Sequence, residues 1–103
     1  MQSSFFHPAI TQARIGDLRP NPKNARTHSK RQIEKIAASF ARYGILNPLI
    51  VDAENVVWVG NARLKAAVMC GAQTVPVIRA DHLSPAELRT YALADNRLAE
   101  EAG

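Results

Sequence analysis

The residues with the clearest chemical potential lie at a short junction in the middle of the chain. An apolar run rich in β-branched residues, VVWV at 56–59, leads directly into Gly60, Asn61, Ala62 and Arg63. If a strand ends at Gly60 and a helix begins after it, free backbone N–H groups and the positive end of the helix dipole lie at the turn. An arginine in the first helical turn can then bind a phosphate with both arms of its guanidinium. These residues alone fit a phosphate site and a tight structural turn equally well.

Two other segments carry related chemistry. In residues 24–29, Arg26 lies among amide and hydroxyl side chains just before a predicted helix, which fits a second anion site or ordinary helix capping. Near the end of the chain, Asp95 and Asn96 place a carboxylate beside an amide. That pair could hold a metal ion or a ribose, or it could simply end a helix.

The sequence argues against several other classes of protein. The three histidines, His7, His28 and His82, are far apart and do not have the spacing of a zinc hydrolase. The single cysteine, Cys70, excludes an internal disulfide and a cysteine zinc site, and it favours a reducing, cytoplasmic compartment. No apolar run approaches the roughly 18–20 residues of a membrane span, so we expect no membrane partner.

Charge is distributed unevenly along the 103 residues, which carry a formal net charge of +4. Residues 1–44 hold eight basic and two acidic side chains, whereas residues 45–103 hold five basic and seven acidic ones. A basic half indicates an anionic partner such as nucleic acid, a nucleotide or phosphate. The length fits one domain, which we place at residues 10–103 after a flexible lead of residues 1–9.

The hydrophobic pattern predicts the elements that must position these groups, in the order β, α, β-β, α, β, α. Ser29 caps a helix that ends at Gly44, and Ser84 caps one that runs to about Asp95. Strands are expected at 10–18, 48–51, 56–59 and 75–79, a loop at 19–28, a helix at 61–71 and a last short turn at 97–101. The inward residues expected on the second and third helices are Leu64, Ala67, Val68, Leu88, Tyr91 and Ala92. The fold class is therefore mixed α/β.

In this order, the segments resemble the ParB/sulfiredoxin-like superfamily, in particular the ParB N-terminal (ParB-like nuclease) domain. The similarity runs over most of the chain, and its parts are LRPNPKNAR at 18–26, IAASFARYGILNPLIV at 36–51, VGNARLKAA at 59–67 and VPVI at 75–78. The ending ALADNRLAE at 92–100 is similar to the version found in phage and prophage proteins, where this domain often precedes a DNA methyltransferase.

The resemblance implies a small mixed sheet packed with about three to four helices, and it implies a ligand. In ParB proteins the glycine-x-x-arginine turn binds the triphosphate of CTP, and residues 60–63 match that turn. By the same resemblance Arg26 also serves the nucleotide, while Asp95 and Asn96 assist with phosphate and Mg²⁺. The implied cofactor is thus CTP or ATP with Mg²⁺.

The sequence departs from the family pattern at two positions of the turn. Asn61 stands where sulfiredoxins place their catalytic cysteine, so sulfinic acid reduction is not expected. Many ParB proteins have a glutamate and a second arginine within the turn, where this chain has Asn61 and Ala62. The chain also stops before the helix-turn-helix domain of ParB proteins, so sequence-specific DNA binding is not expected of this piece.

Three hypotheses about function follow. The first is a domain that binds a nucleotide or phosphate at the turn and works in a DNA-related process, as part of a longer protein and with a homodimer as one arrangement. The second is an accessory domain that contacts the DNA backbone through the basic residues Lys23, Lys30, Arg31, Lys35 and Arg42. The third is a nuclease or a nucleotide-dependent phosphotransferase or NTPase, with acidic candidates Asp52, Asp81, Glu87 and Asp95.

Overall fold

A computed structural model describes residues 8–21 and 28–102, with the backbone alone described for residues 96–102. Its strands are β1 (Ile10–Arg14), β2 (Arg19–Pro20), β3 (Leu49–Val51), β4 (Val56–Val59) and β5 (Thr74–Arg79). Its helices are α1 (Lys30–Tyr43), α2 (Asn61–Met69) and α3 (Pro85–Ala102), and a 3₁₀ turn covers Ile15–Asp17. None of the described helices is long and apolar enough to cross a bilayer.

The five strands form one mixed sheet in the order β1-β5-β3-β4-β2. β3 and β4 are an antiparallel hairpin, β1 runs antiparallel to β5, and β5 runs parallel to β3. The central position of β3 explains its sequence, because all three of its residues are apolar.

The core lies on one face of this sheet. Its largest fully buried side chains are Leu49, Val51, Val57, Val75 and Val77, which alternate along their strands as a half-buried sheet requires. Leu64 and Ala67 of α2 join the same cluster. α1 packs along α2, where the Cys70 thiol donates to the carbonyl of Ala37 at 3.2 Å.

Three of the helix ends follow the predicted signals. The Ser29 hydroxyl accepts from the N–H of Gln32 at the start of α1, and Gly44 ends the helix with a positive φ of 88°. At the start of α3, the Ser84 hydroxyl accepts from the N–H of Glu87, while the Glu87 carboxylate accepts from the N–H of Ser84. The predicted capping box is therefore confirmed.

Several predicted elements differ from the structure. The strand expected at 10–18 ends at Arg14 in the 3₁₀ turn, and Arg19–Pro20 forms β2 beside β4 although residues 19–28 were expected to be a loop. The third helix does not end near Asp95, because α3 continues to Ala102 without a separate last turn. Residues 1–7 of the expected lead and residues 22–27 of the expected loop lie outside the described residues.

Two side chains expected to face inward are on the surface. Val68 is 57% exposed and Tyr91 is 45% exposed. Leu64, Ala67, Leu88 and Ala92 are buried as expected. Each helix therefore buries fewer of its apolar side chains than the sequence predicts. The reason is that α2 packs chiefly against α1, and α3 packs chiefly against β4.

Candidate functional site

The junction between β4 and α2 has the geometry expected of an anion-binding turn. Gly60 has φ 103° and ψ 24°, in the left-handed region, and it is the residue before the first helical residue of α2. Its carbonyl accepts from the N–H of Leu64 at 2.9 Å, which is the first hydrogen bond of the helix. The N–H groups of residues 61–63 therefore have no acceptor within the helix, and no side chain caps them.

Only glycine fits at position 60. A Cβ there would lie 2.9 Å from both the Leu49 Cγ and the Arg63 Nη1, a separation that real Cβ atoms essentially never show. The left-handed backbone would add strain to any residue with a side chain. Gly60 thus allows the Arg63 guanidinium to lie directly over the turn.

The Arg63 guanidinium is held in that place by the backbone of the residue just before β3. Its Nη1 donates to the carbonyl of Pro48 at 3.1 Å, and the side chain is half-buried. A guanidinium has five N–H donors, so this bond uses one of them. Among the residues that the structure describes, the ion pair found is Arg14 with Asp17 at 3.7 Å, and no carboxylate neutralises Arg63.

Asn61 and Ala62 lie inward, so they can serve a ligand only through their backbone N–H groups. Asn61 is 9% exposed, and its Nδ2 donates to the carbonyl of Val57 at 3.2 Å. Its Oδ1 is buried with no hydrogen-bond partner. The Asn61 side chain therefore ties the first turn of α2 to β4.

The structure describes only some of the predicted binding residues. Gly60 and Arg63 are in contact, whereas Arg26 falls in the part of the chain that is not described, as does Lys23 among the predicted DNA contacts. Asp95 is half-buried on α3, which packs against β4, the strand that leads into Gly60. Only the backbone of Asn96 is described, in the same helix.

Two of the acidic candidates for catalysis are occupied by structural hydrogen bonds. The Asp52 carboxylate accepts from the N–H groups of Glu54 and Val56 and from the Trp58 indole. Partial burial acts to raise the pKa of Asp52, but these hydrogen bonds, with the charge of Arg79, lower it below its ordinary value. Bonds from the backbone and hydroxyl of Ser84 similarly lower the pKa of Glu87.

No metal-binding cluster is found within the described part of the chain. There, no three His, Cys, Asp or Glu side chains converge on a common point. A single carboxylate such as Asp95 still fits Mg²⁺, because that ion is often held by one or two carboxylates together with substrate phosphates.

The basic side chains of α1 form a separate exposed surface. Lys30, Arg31, Lys35 and Arg42 are all exposed, and the Arg42 guanidinium lies 5.1 Å from the centre of the Tyr43 ring. Arg31, Lys35 and Arg42 are separated by four and seven residues, so they share one face of the helix. We call these three residues the basic face of α1.

Sequence reasoning missed the contribution of Pro48 and Leu49. The Pro48 carbonyl accepts a hydrogen bond from Arg63, and the Leu49 side chain packs against Gly60. Their position was implicit in the hairpin: Ile50 pairs with Val59, so the residues just before Ile50 must lie opposite Gly60.

Comparison with known proteins identifies the family. The chain matches the family described as ParB N-terminal domain over residues 1–97, so it belongs to that family. It is 37% identical over 64 residues to the ParB-like nuclease domain-containing protein YnaK of Escherichia coli K12, covering 62% of this chain and 74% of that protein. It is 36% identical over 105 residues to stage 0 sporulation protein J of Bacillus subtilis, covering 97% of this chain and 36% of that protein.

Solved structures agree with the mixed α/β fold predicted from the sequence. A C-terminally truncated chromosome-partitioning protein ParB from Caulobacter crescentus, complexed with CTP-gamma-S, matches with a TM-score of 0.78 and 25% identity. That match covers 85% of this chain and 52% of the Caulobacter chain. Sulfiredoxin from Arabidopsis thaliana, at 17% identity, matches with a TM-score of 0.64 over 72% of this chain and 86% of its own, which shows the shared fold alone.

The fold is therefore of the ParB/sulfiredoxin-like type, as expected. The chain spans about a third of the length of the sporulation protein and about half of the Caulobacter chain.

Proposed function

We propose that this domain binds a nucleoside triphosphate, CTP or ATP, through its phosphates at the turn of residues 60–63, and that it does so in a DNA-related process such as chromosome partitioning. One observation carries the proposal: the half-buried Arg63 guanidinium lies over Gly60, beside the uncapped start of α2, with no carboxylate partner among the described residues.

The physical argument concerns unbalanced positive charge. A partly desolvated cation is costly unless an anion compensates it, and the helix dipole of α2 adds further positive potential at the same point. A phosphate bound there would accept from the backbone N–H groups of residues 61–63 and from the guanidinium arms not used by Pro48. Because Pro48 already holds the arginine, little ordering remains to be done when the ligand binds.

The comparisons support a nucleotide in particular. The chain belongs to the ParB N-terminal domain family, and the Caulobacter relative was solved with CTP-gamma-S. We assign Arg26 and Asn96 to the same ligand and Asp95 to its Mg²⁺, which would neutralise part of the triphosphate charge. The packing of α3 against β4 supports this assignment, because it brings the helix that carries Asp95 beside the strand leading into the turn.

Isothermal titration of the full chain with CTP, ATP and inorganic triphosphate, with and without Mg²⁺, tests the proposal. The Arg63→Ala variant should lose about tenfold or more in affinity, since a charge-assisted bidentate contact is removed. Lys65→Ala is the matched control, because Lys65 is exposed on the same helix and carries the same charge. Absence of binding at millimolar nucleotide would refute the proposal, and so would equal losses in the two variants.

A second candidate function rests on a different surface. The basic face of α1 is exposed and suits the phosphates of a DNA backbone, with Lys30 at its edge and Lys23 in the preceding segment. Binding of this kind needs no nucleotide at the turn. The two functions can coexist because they use different residues.

The wider context is proposed on the sequence resemblance. The similarity of residues 92–100 to phage and prophage versions supports a role beside a DNA methyltransferase or another DNA-acting domain of a longer protein. Cytoplasmic DNA and nucleotide are the partners that such a role requires, and a second copy of the domain is a further candidate partner.

A further inference from the structure

The two outer strands of the sheet differ in how their free edges are protected. At one side lies β2, which has two residues, one of them a proline, and so offers little backbone to a partner. At the other side lies β1, with five residues and neither proline nor glycine, and its one charged residue, Arg14, stands at its end. Native proteins usually protect such an edge with a short strand, a proline or several charges. Among the residues that the structure describes, no strand pairs with the outer edge of β1, so this edge is open to another strand.

The register of β1 against β5 shows which backbone groups lie on the open edge. The N–H of Ile15 donates to the carbonyl of Gln73 at 3.0 Å, so these residues continue the ladder as a hydrogen-bonded pair. Hydrogen-bonded and non-hydrogen-bonded pairs alternate along an antiparallel ladder, so Ala13 and Thr11 also bond to β5. The remaining residues of β1 direct their N–H and carbonyl groups away from β5, and they are Ile10, Gln12 and Arg14.

A proline in β5 agrees with this assignment. Pro76 lies opposite Gln12 and has no N–H to donate. In a hydrogen-bonded pair, the carbonyl of Gln12 would therefore lack its donor from β5. In the observed register that carbonyl points outward, so the proline costs this ladder no hydrogen bond. The open edge thus presents an N–H and a carbonyl at every second residue of β1.

The spacing of these groups fits a second copy of the same strand. If two β1 strands run antiparallel with Gln12 opposite Gln12, then Ile10 of each copy lies opposite Arg14 of the other copy. All the outward-facing residues then form hydrogen-bonded pairs, and each pair exchanges two backbone hydrogen bonds. The contact is also closed, because each residue meets in the second copy the partner that its own counterpart meets in the first.

The side chains of β1 are compatible with this pairing on both faces of the sheet. Ile10 is 59% exposed, and the aliphatic stem of Arg14 from the second copy would cover it. On the other face, Thr11 lies opposite Ala13, and both side chains are small. The two arginines stand at opposite ends of the paired strands, about 13 Å apart, where salt screens their repulsion. Each arginine also lies 3.7 Å from Asp17 of its own chain.

We propose that two copies of this domain associate by antiparallel pairing of their β1 strands, centred on Gln12, so that the two sheets become one continuous sheet. The two-fold axis is perpendicular to that sheet, and α1 and α2 of both copies therefore lie on the same face. The interface does not depend on nucleotide binding, because the turn at Gly60 follows β4, which β5 and β3 separate from β1.

Sedimentation equilibrium of the full chain, at concentrations up to about 1 mM, tests the interface. The wild type should dimerise. Gln12→Pro should weaken dimerisation by about tenfold or more, since two backbone donors are removed and the carbonyls opposite them lose their partners. β5 does not use the Gln12 N–H, so this variant should keep its fold, which circular dichroism checks. A wild type that stays monomeric at about 1 mM would overturn the proposal, and so would equal dimerisation of the variant.

A second variant leaves the backbone of β1 unchanged. Gln12→Lys places two lysines opposite each other at the two-fold axis, and like charges directly opposite destabilise a strand pair. Gln73→Lys is the matched control, because Gln73 is exposed and lies just before β5, away from the free edge. It should leave dimerisation unchanged. Equal weakening by the two lysine variants would show a response to net charge alone and would contradict the interface.

Amide hydrogen exchange identifies the strand that pairs. The N–H groups of Thr11 and Ala13 should be protected at every concentration, because they bond to β5 within one copy. Those of Ile10, Gln12 and Arg14 should become protected only at concentrations where the dimer forms. Fast exchange of these three amides in the dimer would overturn the proposal. Protection that does not change with concentration would place another part of the same chain on the edge and would overturn it as well.

Discussion

At the scale of single residues, Gly60 is the position that tolerates substitution least, because its left-handed backbone and its close packing both require glycine. We expect Gly60→Ala to destabilise the domain by about 3 kcal/mol, from left-handed strain together with the contact to Leu49. It should also displace the Arg63 guanidinium and reduce nucleotide affinity. Urea unfolding and titration calorimetry measure the two effects.

A second glycine separates the two causes. Gly71 has a positive φ of 76°, but a Cβ there would meet nothing within 4 Å. Gly71→Ala should therefore show only the backbone strain, about 1 kcal/mol, and leave nucleotide affinity unchanged. If Gly60→Ala were no more destabilising than Gly71→Ala, the close packing at the turn would be disproved.

At the scale of elements, the β3–β4 hairpin depends on the ionised carboxylate of Asp52. Because the pKa of Asp52 is lowered in the folded protein, its contribution is present above the unfolded pKa near 3.8 and is lost as the pH falls through the folded pKa. Between pH 6 and pH 3 the wild-type protein should lose more stability than Asp52→Asn, by at most about 1 kcal/mol. Urea unfolding at several pH values measures this difference, and parallel profiles would contradict it.

Glu87 requires its own control in that experiment. Its pKa is also lowered, through the capping box with Ser84, so it contributes pH dependence of the same sign at the start of α3. The Glu87→Gln variant removes that contribution without touching the hairpin. The effect of Asp52→Asn should persist unchanged in the Glu87→Gln background, because the two carboxylates belong to different elements.

Elements with local signals could be predicted from the sequence, and those that depend on distant partners could not. Ser29, Gly44 and Ser84 mark helix ends through bonds made within a few residues, and the structure confirms all three. β2 was missed because it has two residues and a proline, and only its pairing with β4 makes it a strand. The end expected near Asp95 was wrong because an Asp-Asn pair lowers helix propensity only slightly.

In the candidate site, too, the local features could be predicted from the sequence and the long-range contacts could not. The turn at Gly60 and the first-turn position of Arg63 could be inferred from a strand-glycine-helix pattern. The hydrogen bond from Arg63 to the carbonyl of Pro48 could not, since it joins residues 15 apart through the hairpin register. The prediction that Val68 and Tyr91 face inward was wrong, because apolar character alone does not show which side of a helix its packing partners cover.

At the scale of the whole molecule, the basic first half of the sequence contributes the exposed basic face of α1. Replacing the basic face of α1 by Arg31→Ala, Lys35→Ala and Arg42→Ala should weaken DNA binding at low salt. The slope of log affinity against log salt should also become shallower by about 2–3, since each lost phosphate contact releases about one counterion fewer. Fluorescence anisotropy with a short duplex at several salt concentrations measures the slope.

Basic residues elsewhere provide the comparison for that experiment. Lys65 and Arg89 are exposed on α2 and α3, outside the basic face of α1. Lys65→Ala with Arg89→Ala should leave the slope nearly unchanged. An equal change in slope from both sets would show that DNA responds only to net charge, and the absence of binding at low salt would remove this function.

The most direct test of the central claim is an amide-resolved NMR titration of the ¹⁵N-labelled chain with CTP and Mg²⁺, with inorganic triphosphate run in parallel. The N–H resonances of residues 61–63 should shift first and saturate with both ligands. Arg63→Ala should raise the ligand concentration needed for half-saturation by about tenfold or more, and Lys65→Ala should leave it unchanged. If those resonances stay in place while others shift, or if nothing shifts at millimolar ligand, the turn at Gly60 does not bind phosphate.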